Sequence, residues 1–215
     1  MTEELERMLK EENIEHNSTK RKDNRRIPSS SKRTDDADIS QNNQVWIKRN
    51  YEKCSGCRRC EIACSLHHEG KIWPEASRIR IFMFVPGVEI PQLCYQCEDY
   101  PCVKACPVDA LSVNSRTGAV NVDVSKCTEC GLCVKACPGK VPCSHPKENH
   151  IIICDLCDGQ PKCVEACQEG RWNTLALIPK EKKVSYRALA KTPGKLTSKV
   201  AKQVLGKEIA KEVWE

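Results

Sequence analysis

The cysteines of this chain fall into four groups with nearly the same internal spacing. Each group has three cysteines close together and a fourth cysteine four positions after the third. The groups are Cys54-x2-Cys57-x2-Cys60-x3-Cys64, Cys94-x2-Cys97-x4-Cys102-x3-Cys106, Cys127-x2-Cys130-x2-Cys133-x3-Cys137 and Cys154-x2-Cys157-x5-Cys163-x3-Cys167. They account for all but one of the seventeen cysteines, so a fold for this chain has to arrange these thiols before anything else.

This spacing is typical of [4Fe–4S] clusters. Three closely spaced cysteines on a loop reach three irons of one cube, and in two-cluster ferredoxins the fourth cysteine ligates the other cluster. We expect that fourth cysteine to lie where a helix begins, and Pro107 and Pro138, which follow two of the groups, suit a helix start or a turn that shields sulfur. Zinc sites use pairs of C-x2-C units, which leaves the third and fourth cysteines unexplained. The spacing therefore predicts four [4Fe–4S] clusters.

Three other residues near the groups are weaker candidates. Cys143 remains after four sets of four, and a buried thiol is favoured over a further ligand because free cysteine is so often buried. His67 and His68 follow Cys64 closely, and histidine is able to ligate iron in such clusters. A solvated or hydrogen-bonded role is the favoured interpretation for both histidines.

Composition agrees with a fold organised by metal. Aromatic residues make up only 5% of the chain, and the 40% counted as hydrophobic includes the seventeen cysteines. So thin an apolar inventory needs metal centres to offset chain entropy. No apolar signal segment follows Arg25 and Arg26, and no stretch is long enough to span a membrane. Dense cysteine without an export signal indicates the cytoplasm, where thiols stay reduced.

Charge divides the chain into three parts. Residues 1–44 carry nine Lys/Arg and ten Asp/Glu, a composition that predicts a disordered tail. Residues 45–178 hold every cysteine, and their short apolar stretches alternate with the cysteine groups, which predicts an α+β core of short strands and helices. Residues 114–118, which end at Gly118, predict a turn with that glycine at positive φ.

Residues 179–215 form a basic extension with ten Lys/Arg against four Glu. Residues 197–215 predict an amphipathic helix with Val200, Val204, Ile209 and Val213 near one face, capped by Thr197 or Ser198. Packing on this chain's own core and docking on a partner subunit remain open alternatives.

The net charge of +6 does not indicate a nucleic-acid partner. Each loaded cluster, with its four thiolates, adds about −2, so four clusters bring the total to +6 − 8 = −2. The core alone changes from +16 − 15 = +1 to about −7. No basic surface with interleaved aromatic residues is predicted, which disfavours nucleic-acid binding.

Four such groups in this order resemble the polyferredoxin electron-transfer subunits of the dimethyl sulfoxide reductase type. The resemblance covers residues 45–178 and rests on the sixteen grouped cysteines. It implies two interleaved bacterial-ferredoxin-like units, an outer unit of residues 45–90 plus 148–178 and an inner unit of residues 91–147. It also implies exchange of the fourth cysteine within each unit, which gives these four sets: Cys54, Cys57, Cys60 and Cys167; Cys94, Cys97, Cys102 and Cys137; Cys127, Cys130, Cys133 and Cys106; Cys154, Cys157, Cys163 and Cys64.

The resemblance also implies a function. Residues 64–70 (CSLHHEG) and 77–81 (SRIRI) are most similar to small subunits that accompany tungsten aldehyde oxidoreductases and class II benzoyl-CoA reductases. Such a subunit relays single electrons between a catalytic subunit with a tungsten or molybdenum cofactor and a second electron carrier or flavoprotein subunit, without catalysis of its own. A subunit of a hydrogenase, formate dehydrogenase or carbon monoxide dehydrogenase, or a free polyferredoxin, is the alternative.

Enzymes of other classes lack their signatures here. A radical activase needs C-x3-C-x2-C, and a flavin or nicotinamide enzyme needs a glycine-rich βαβ turn; the sequence contains neither. A purely structural metal scaffold would not need four redox clusters.

Overall fold

The computed structural model describes residues 44–214, except for the side chain of Trp214. The predicted tail of residues 1–44 therefore lies outside the described residues, apart from Gln44. The described chain contains short strands and helices in alternation, as the sequence predicts for an α+β core.

The described strands are β1 (Val45–Arg49), β2 (Arg80–Val85), β3 (Val88–Gln92), β4 (Leu111–Val113), β5 (Val120–Val122), β6 (Cys143–Ser144), β7 (Ile151–Ile152) and β8 (Leu175–Pro179). The described α-helices are α1 (Arg59–Glu69), α2 (Pro101–Lys104), α3 (Leu132–Ala136), α4 (Lys162–Glu169), α5 (Tyr186–Leu189), α6 (Pro193–Val204) and α7 (Lys207–Trp214). Three 3₁₀ turns cover Tyr51–Lys53, Pro74–Ala76 and Leu156–Gly159.

The strands form four separate antiparallel pairs, namely β1–β8, β2–β3, β4–β5 and β6–β7. The pair β1–β8 joins the two ends of the cysteine-bearing region, with Val45 opposite Pro179 and Arg49 opposite Leu175. The hairpin β4–β5 contains the predicted turn, and Gly118 has φ of +72°. That prediction is confirmed, because a residue without a Cβ adopts this conformation at little cost.

Cysteines are a large part of the main core. Helix α1 packs against α4, and the buried cluster around them contains thirteen residues, of which five are cysteines. Its aliphatic members include Ile47, Leu156 and Leu175, which are almost completely buried. The core is therefore assembled around thiols, as the thin apolar inventory predicts.

The C-terminal extension packs on the β2–β3 hairpin. Leu196, Val200 and Ala201 of α6 are buried in one cluster with Val88 and Ile90 of the hairpin. Of the two alternatives left open by the sequence, the structure thus shows α6 packed on this chain's own core.

The predicted start and extent of the C-terminal helix were wrong. The first helical residue is Pro193 and the N-cap is Thr192, because proline's fixed φ suits the first turn of a helix. Thr197 is instead buried within α6, where its hydroxyl donates to the carbonyl of Pro193 at 3.0 Å. Gly206, with φ of +84°, ends this helix, and a second helix follows.

The break also divides the predicted apolar face. Val200 is 3% exposed, whereas Val204, Ile209 and Val213 are 47%, 53% and 50% exposed. Among the side chains of α7 that the structure describes, that of Ala210 is the buried one. The four valines and isoleucines therefore do not form one buried stripe.

We expect Ile90→Ala to destabilise the fold by about 2–5 kcal/mol, because truncation of a fully buried isoleucine leaves a cavity. The free energy of unfolding is measured by anaerobic chemical denaturation followed by circular dichroism. Met83→Ala on the same hairpin is the control. Because Met83 is 57% exposed, its replacement should lower the free energy of unfolding by less than about 0.5 kcal/mol. Equal losses in the two variants would contradict the packing of this hairpin under α6.

Candidate iron–sulfur centres

Twelve of the grouped cysteines line three separate cavities. Each cavity brings together three cysteines of one group and the fourth cysteine of another group. Each of these cavities is small, with room for about 20 Å³, and we name the sets of cysteines that line them quartets 1, 2 and 3. Their members are Cys54, Cys57, Cys60 and Cys167 for quartet 1, Cys94, Cys97, Cys102 and Cys137 for quartet 2, and Cys106, Cys127, Cys130 and Cys133 for quartet 3.

The other four grouped cysteines also lie close together, and we name them quartet 4: Cys64, Cys154, Cys157 and Cys163. Burial raises the pKa of Cys163 well above its ordinary value, and the charges of Cys64 and Cys157 raise it further. The pKa of Cys154 is raised by its burial and then by the charge of Cys163. These mutual effects place the four thiols within electrostatic range of one another.

The helices position the cysteines differently from the sequence prediction. We expected the fourth cysteine of each group to begin a helix, and this was wrong. Each helix already contains the third cysteine of its group, which is Cys60 in α1, Cys102 in α2, Cys133 in α3 and Cys163 in α4. The fourth cysteine lies further along the same helix or just after it. Pro107 and Pro138 accordingly follow helix ends, where a proline cannot continue the helix.

Backbone N–H groups donate to the sulfur atoms of several fourth cysteines. The N–H of Ala110 lies 3.3 Å from Cys106 Sγ, and the N–H of Val141 lies 3.5 Å from Cys137 Sγ. The N–H of Arg78 lies 3.3 Å from Cys64 Sγ. Hydrogen bonds of this kind stabilise a thiolate ligand and are one of the factors that set cluster potential.

The thiols are poor acids in these surroundings. Burial raises the pKa of Cys54 and of Cys157 to about 11, and that of Cys97 and of Cys102 to about 12. A thiolate in such a place needs a positive charge beside it, since desolvation disfavours the charged form. The irons of a cluster supply that charge.

The donor sets fit a [4Fe–4S] cluster better than a zinc ion. Zinc binds four thiolates at about 2.3 Å in a closed tetrahedron, which leaves no cavity between them. Each of the three cavities is instead lined by three cysteines of one group and one cysteine of another. That donor set is the one by which two-cluster ferredoxins hold a cube of iron and sulfide, and it is not two C-x2-C pairs.

Neighbouring quartets are in contact: cysteines of quartets 1 and 4 share one buried cluster, and Cys94 of quartet 2 packs against it. The charge of Cys60 in quartet 1 contributes to the raised pKa of Cys163 in quartet 4. The charge of Cys94 in quartet 2 acts in the same way on Cys154. Cysteines of quartets 2 and 3 share one buried cluster. Within the described chain, the two exposed cysteines are Cys57 and Cys130, so quartets 1 and 3 reach the surface.

The weaker candidates lie at the edge of this arrangement. Cys143 is half-buried in β6 and lines none of the three cavities. His68 Nε2 lies 3.7 Å from Cys157 Sγ and 3.4 Å from Asp155 Oδ1, a hydrogen-bonding position. His67 is exposed, although it is near enough to His68 and Cys157 to share a metal ion with them.

The sequence did not indicate two charged residues that lie beside the quartets. Arg78 ion-pairs with Glu69 at 3.0 Å while its backbone contacts quartet 4. Arg49 is buried beside quartet 2. Neither residue belongs to a motif, so spacing alone could not have found them.

Comparisons with known proteins decide the family. A family model described as a 4Fe-4S dicluster domain matches residues 87–138, which include every cysteine of quartets 2 and 3. The polyferredoxin-like subunit of aliphatic sulfonate oxidoreductase from Pyrococcus furiosus is 51% identical over 165 residues, covering 77% of this chain and 95% of that subunit. This chain belongs to the polyferredoxin-like subunits of oxidoreductases.

A further relative of this polyferredoxin-like subunit agrees with that assignment. The thiosulfate reductase electron transfer subunit PhsB of Salmonella typhi is 32% identical over 142 residues, covering 58% of this chain and 72% of PhsB. A solved active site complex BamBC of benzoyl coenzyme A reductase aligns over 80% of this chain and 98% of that one, with 20% identity and a TM-score of 0.39.

The polyferredoxin-like subunit is therefore an iron–sulfur electron-transfer subunit of oxidoreductase complexes, with a dicluster [4Fe–4S] domain. Among its described helices, none combines the length and the apolar character that crossing a bilayer requires.

Proposed function

We propose that the polyferredoxin-like subunit holds four [4Fe–4S] clusters, one in each quartet. The observation that carries this proposal is the mixed origin of the cysteines around each cavity, three from one group and one from another. The ligands would be the sixteen grouped cysteines, and the outer and inner units would comprise residues 45–90 plus 148–178 and residues 91–147. The pairing of β1 with β8 and the packing of α1 on α4 support the outer unit.

The arrangement of the quartets suits electron transfer between two partners. A bound [4Fe–4S] cluster supplies one-electron oxidation and reduction. In this proposal the quartets form a row in the order 1, 4, 2, 3, and the exposed cysteines Cys57 and Cys130 belong to quartets 1 and 3 at its ends. One partner would approach the surface at Cys57, where Arg58 and Arg59 are also exposed, and the other the surface at Cys130.

The catalytic partner in this proposal is a subunit with a tungsten or molybdenum cofactor, and the second partner is an electron carrier or flavoprotein subunit. Support for the metal comes from the similarity of residues 64–70 and 77–81 to small subunits of tungsten enzymes. The free thiols that cluster binding needs favour the cytoplasm as the compartment.

Anaerobic co-purification from the native source tests this proposal. We expect the subunit to elute with a larger catalytic protein, and metal analysis of that fraction to give tungsten or molybdenum in addition to iron. Elution with a nickel-containing protein, or with a catalytic partner that lacks both metals, would contradict the assignment of the partner.

A further inference from the structure

Arg49, the last residue of β1, is a buried arginine next to quartet 2. Arg49 is only 8% exposed. Nη2 donates to the carbonyl oxygens of Leu93 and Cys94, at 3.1 and 2.8 Å. The guanidinium group is thus fixed against the backbone of the first cysteine of quartet 2.

The charge of Arg49 has no acidic partner in the described part of the chain. Its Nε and Nη1 atoms are buried and have no hydrogen-bond partner. Its other neighbours are aromatic: Cζ lies 4.1 Å from the ring centroid of Tyr95 and 5.4 Å from that of Trp46. A ring face attracts a cation, but a buried charge without an ionic partner is still strongly disfavoured.

Quartet 2 is the group that can compensate this charge. Burial raises the pKa of the Cys94 thiol, and the positive charge of Arg49 opposes that rise. Four thiolates around a [4Fe–4S] core leave a net charge of about −2 at the site. The buried cation and this anionic site therefore satisfy one another.

We propose that Arg49 is a positioning residue whose buried positive charge raises the reduction potential of the cluster held by quartet 2. This inference rests on the proposed function. Adding one electron to the site makes it more negative by one charge, without a proton, and a nearby fixed cation favours the added charge. The low dielectric around a buried group makes the effect larger than that of a solvated cation.

Lys180 provides a matched comparison on the same quartet. It is half-buried, and its Nζ lies 5.5 Å from the ring centroid of Tyr100. Burial lowers the pKa of Lys180, and the charges of Cys94 and Cys97 oppose that change. Because water screens a partly exposed charge, we expect Lys180 to influence the potential less than Arg49 does.

The test is an anaerobic redox titration of the full chain with dithionite, followed by electron paramagnetic resonance. The quartet 2 signal is assigned as the one missing from Cys102→Ala. We expect Arg49→Gln to lower the midpoint potential of that signal, Arg49→Lys to leave it near the wild-type value, and Lys180→Gln to lower it by less than Arg49→Gln does. An unchanged potential in Arg49→Gln with full iron content would overturn the proposal.

Iron content separates a charge effect from a packing effect. Loss of about four irons in Arg49→Gln but not in Arg49→Lys would overturn the proposed effect on the potential and make Arg49 a residue needed to retain the cluster. The same loss in both variants would overturn it and leave Arg49 with a packing role. Absence of a quartet 2 signal from the wild-type chain would instead refute the proposed function itself.

Discussion

Replacing Cys102 with alanine is expected to remove about four iron atoms from the chain, because alanine offers no ligand to the cluster of quartet 2. Cys102 is buried at the cavity with the other three cysteines of quartet 2. Quartets 1 and 4 draw no ligand from this group of cysteines, so their clusters should remain. Iron and acid-labile sulfide analysis gives the stoichiometry, and electron paramagnetic resonance shows which signals persist.

Cys143→Ala is the matched control for this variant. Cys143 is a half-buried cysteine of β6, and it lines none of the three cavities. We expect its replacement to leave iron content at the wild-type value. Full iron in Cys102→Ala, or an equal loss in Cys143→Ala, would contradict the ligand assignment.

The exchange of the fourth cysteine within the inner unit gives the second large effect. Cys137 lines the cavity of quartet 2, although its own group supplies quartet 3. Cys106 lines the cavity of quartet 3, although its own group supplies quartet 2. We therefore expect Cys137→Ala to lose the same cluster signal as Cys102→Ala, and Cys106→Ala to lose the same signal as Cys130→Ala.

Spectra of the four single variants, each prepared anaerobically, distinguish exchange from separate sites. If every group held its own cluster, Cys106→Ala would instead match Cys102→Ala, and Cys137→Ala would match Cys130→Ala. That result would end the interleaved arrangement while leaving the number of clusters unchanged.

The sequence was informative where chemistry imposes a spacing. The spacing within each cysteine group follows from the shape of an iron–sulfur cube, whereas the four sets expected to assemble came from the resemblance to the polyferredoxin subunits. Gly118 was predictable for a similar reason, since a tight turn requires positive φ and glycine adopts it readily. Local rules of this kind do not depend on the rest of the fold.

Predictions failed where two local signals competed. Thr197 is a good cap by type, but Pro193 and Thr192 begin α6 instead, and the hydroxyl of Thr197 bonds within the helix. In the same way, a proline after the fourth cysteine suggested a helix start, whereas the helix had already begun near the third. Sequence alone gives no means of ranking two such signals.

Arg49 illustrates contacts that a sequence does not encode locally. Its partners are the backbone carbonyls of Leu93 and Cys94, more than forty residues away. A carbonyl is present at every residue, so no pattern of side chains marks the ones that will accept. Only the pairing of β1 with β8 and the loop at Cys94 bring donor and acceptors together.

Metal content tests most directly whether the sixteen grouped thiolates bind four cubane clusters. The full chain is prepared anaerobically, and its iron, sulfide and zinc are determined per polypeptide. We expect about sixteen irons, a similar amount of acid-labile sulfide and no stoichiometric zinc. About eight irons would contradict the binding of four clusters, and zinc bound in place of iron would contradict iron–sulfur clusters altogether.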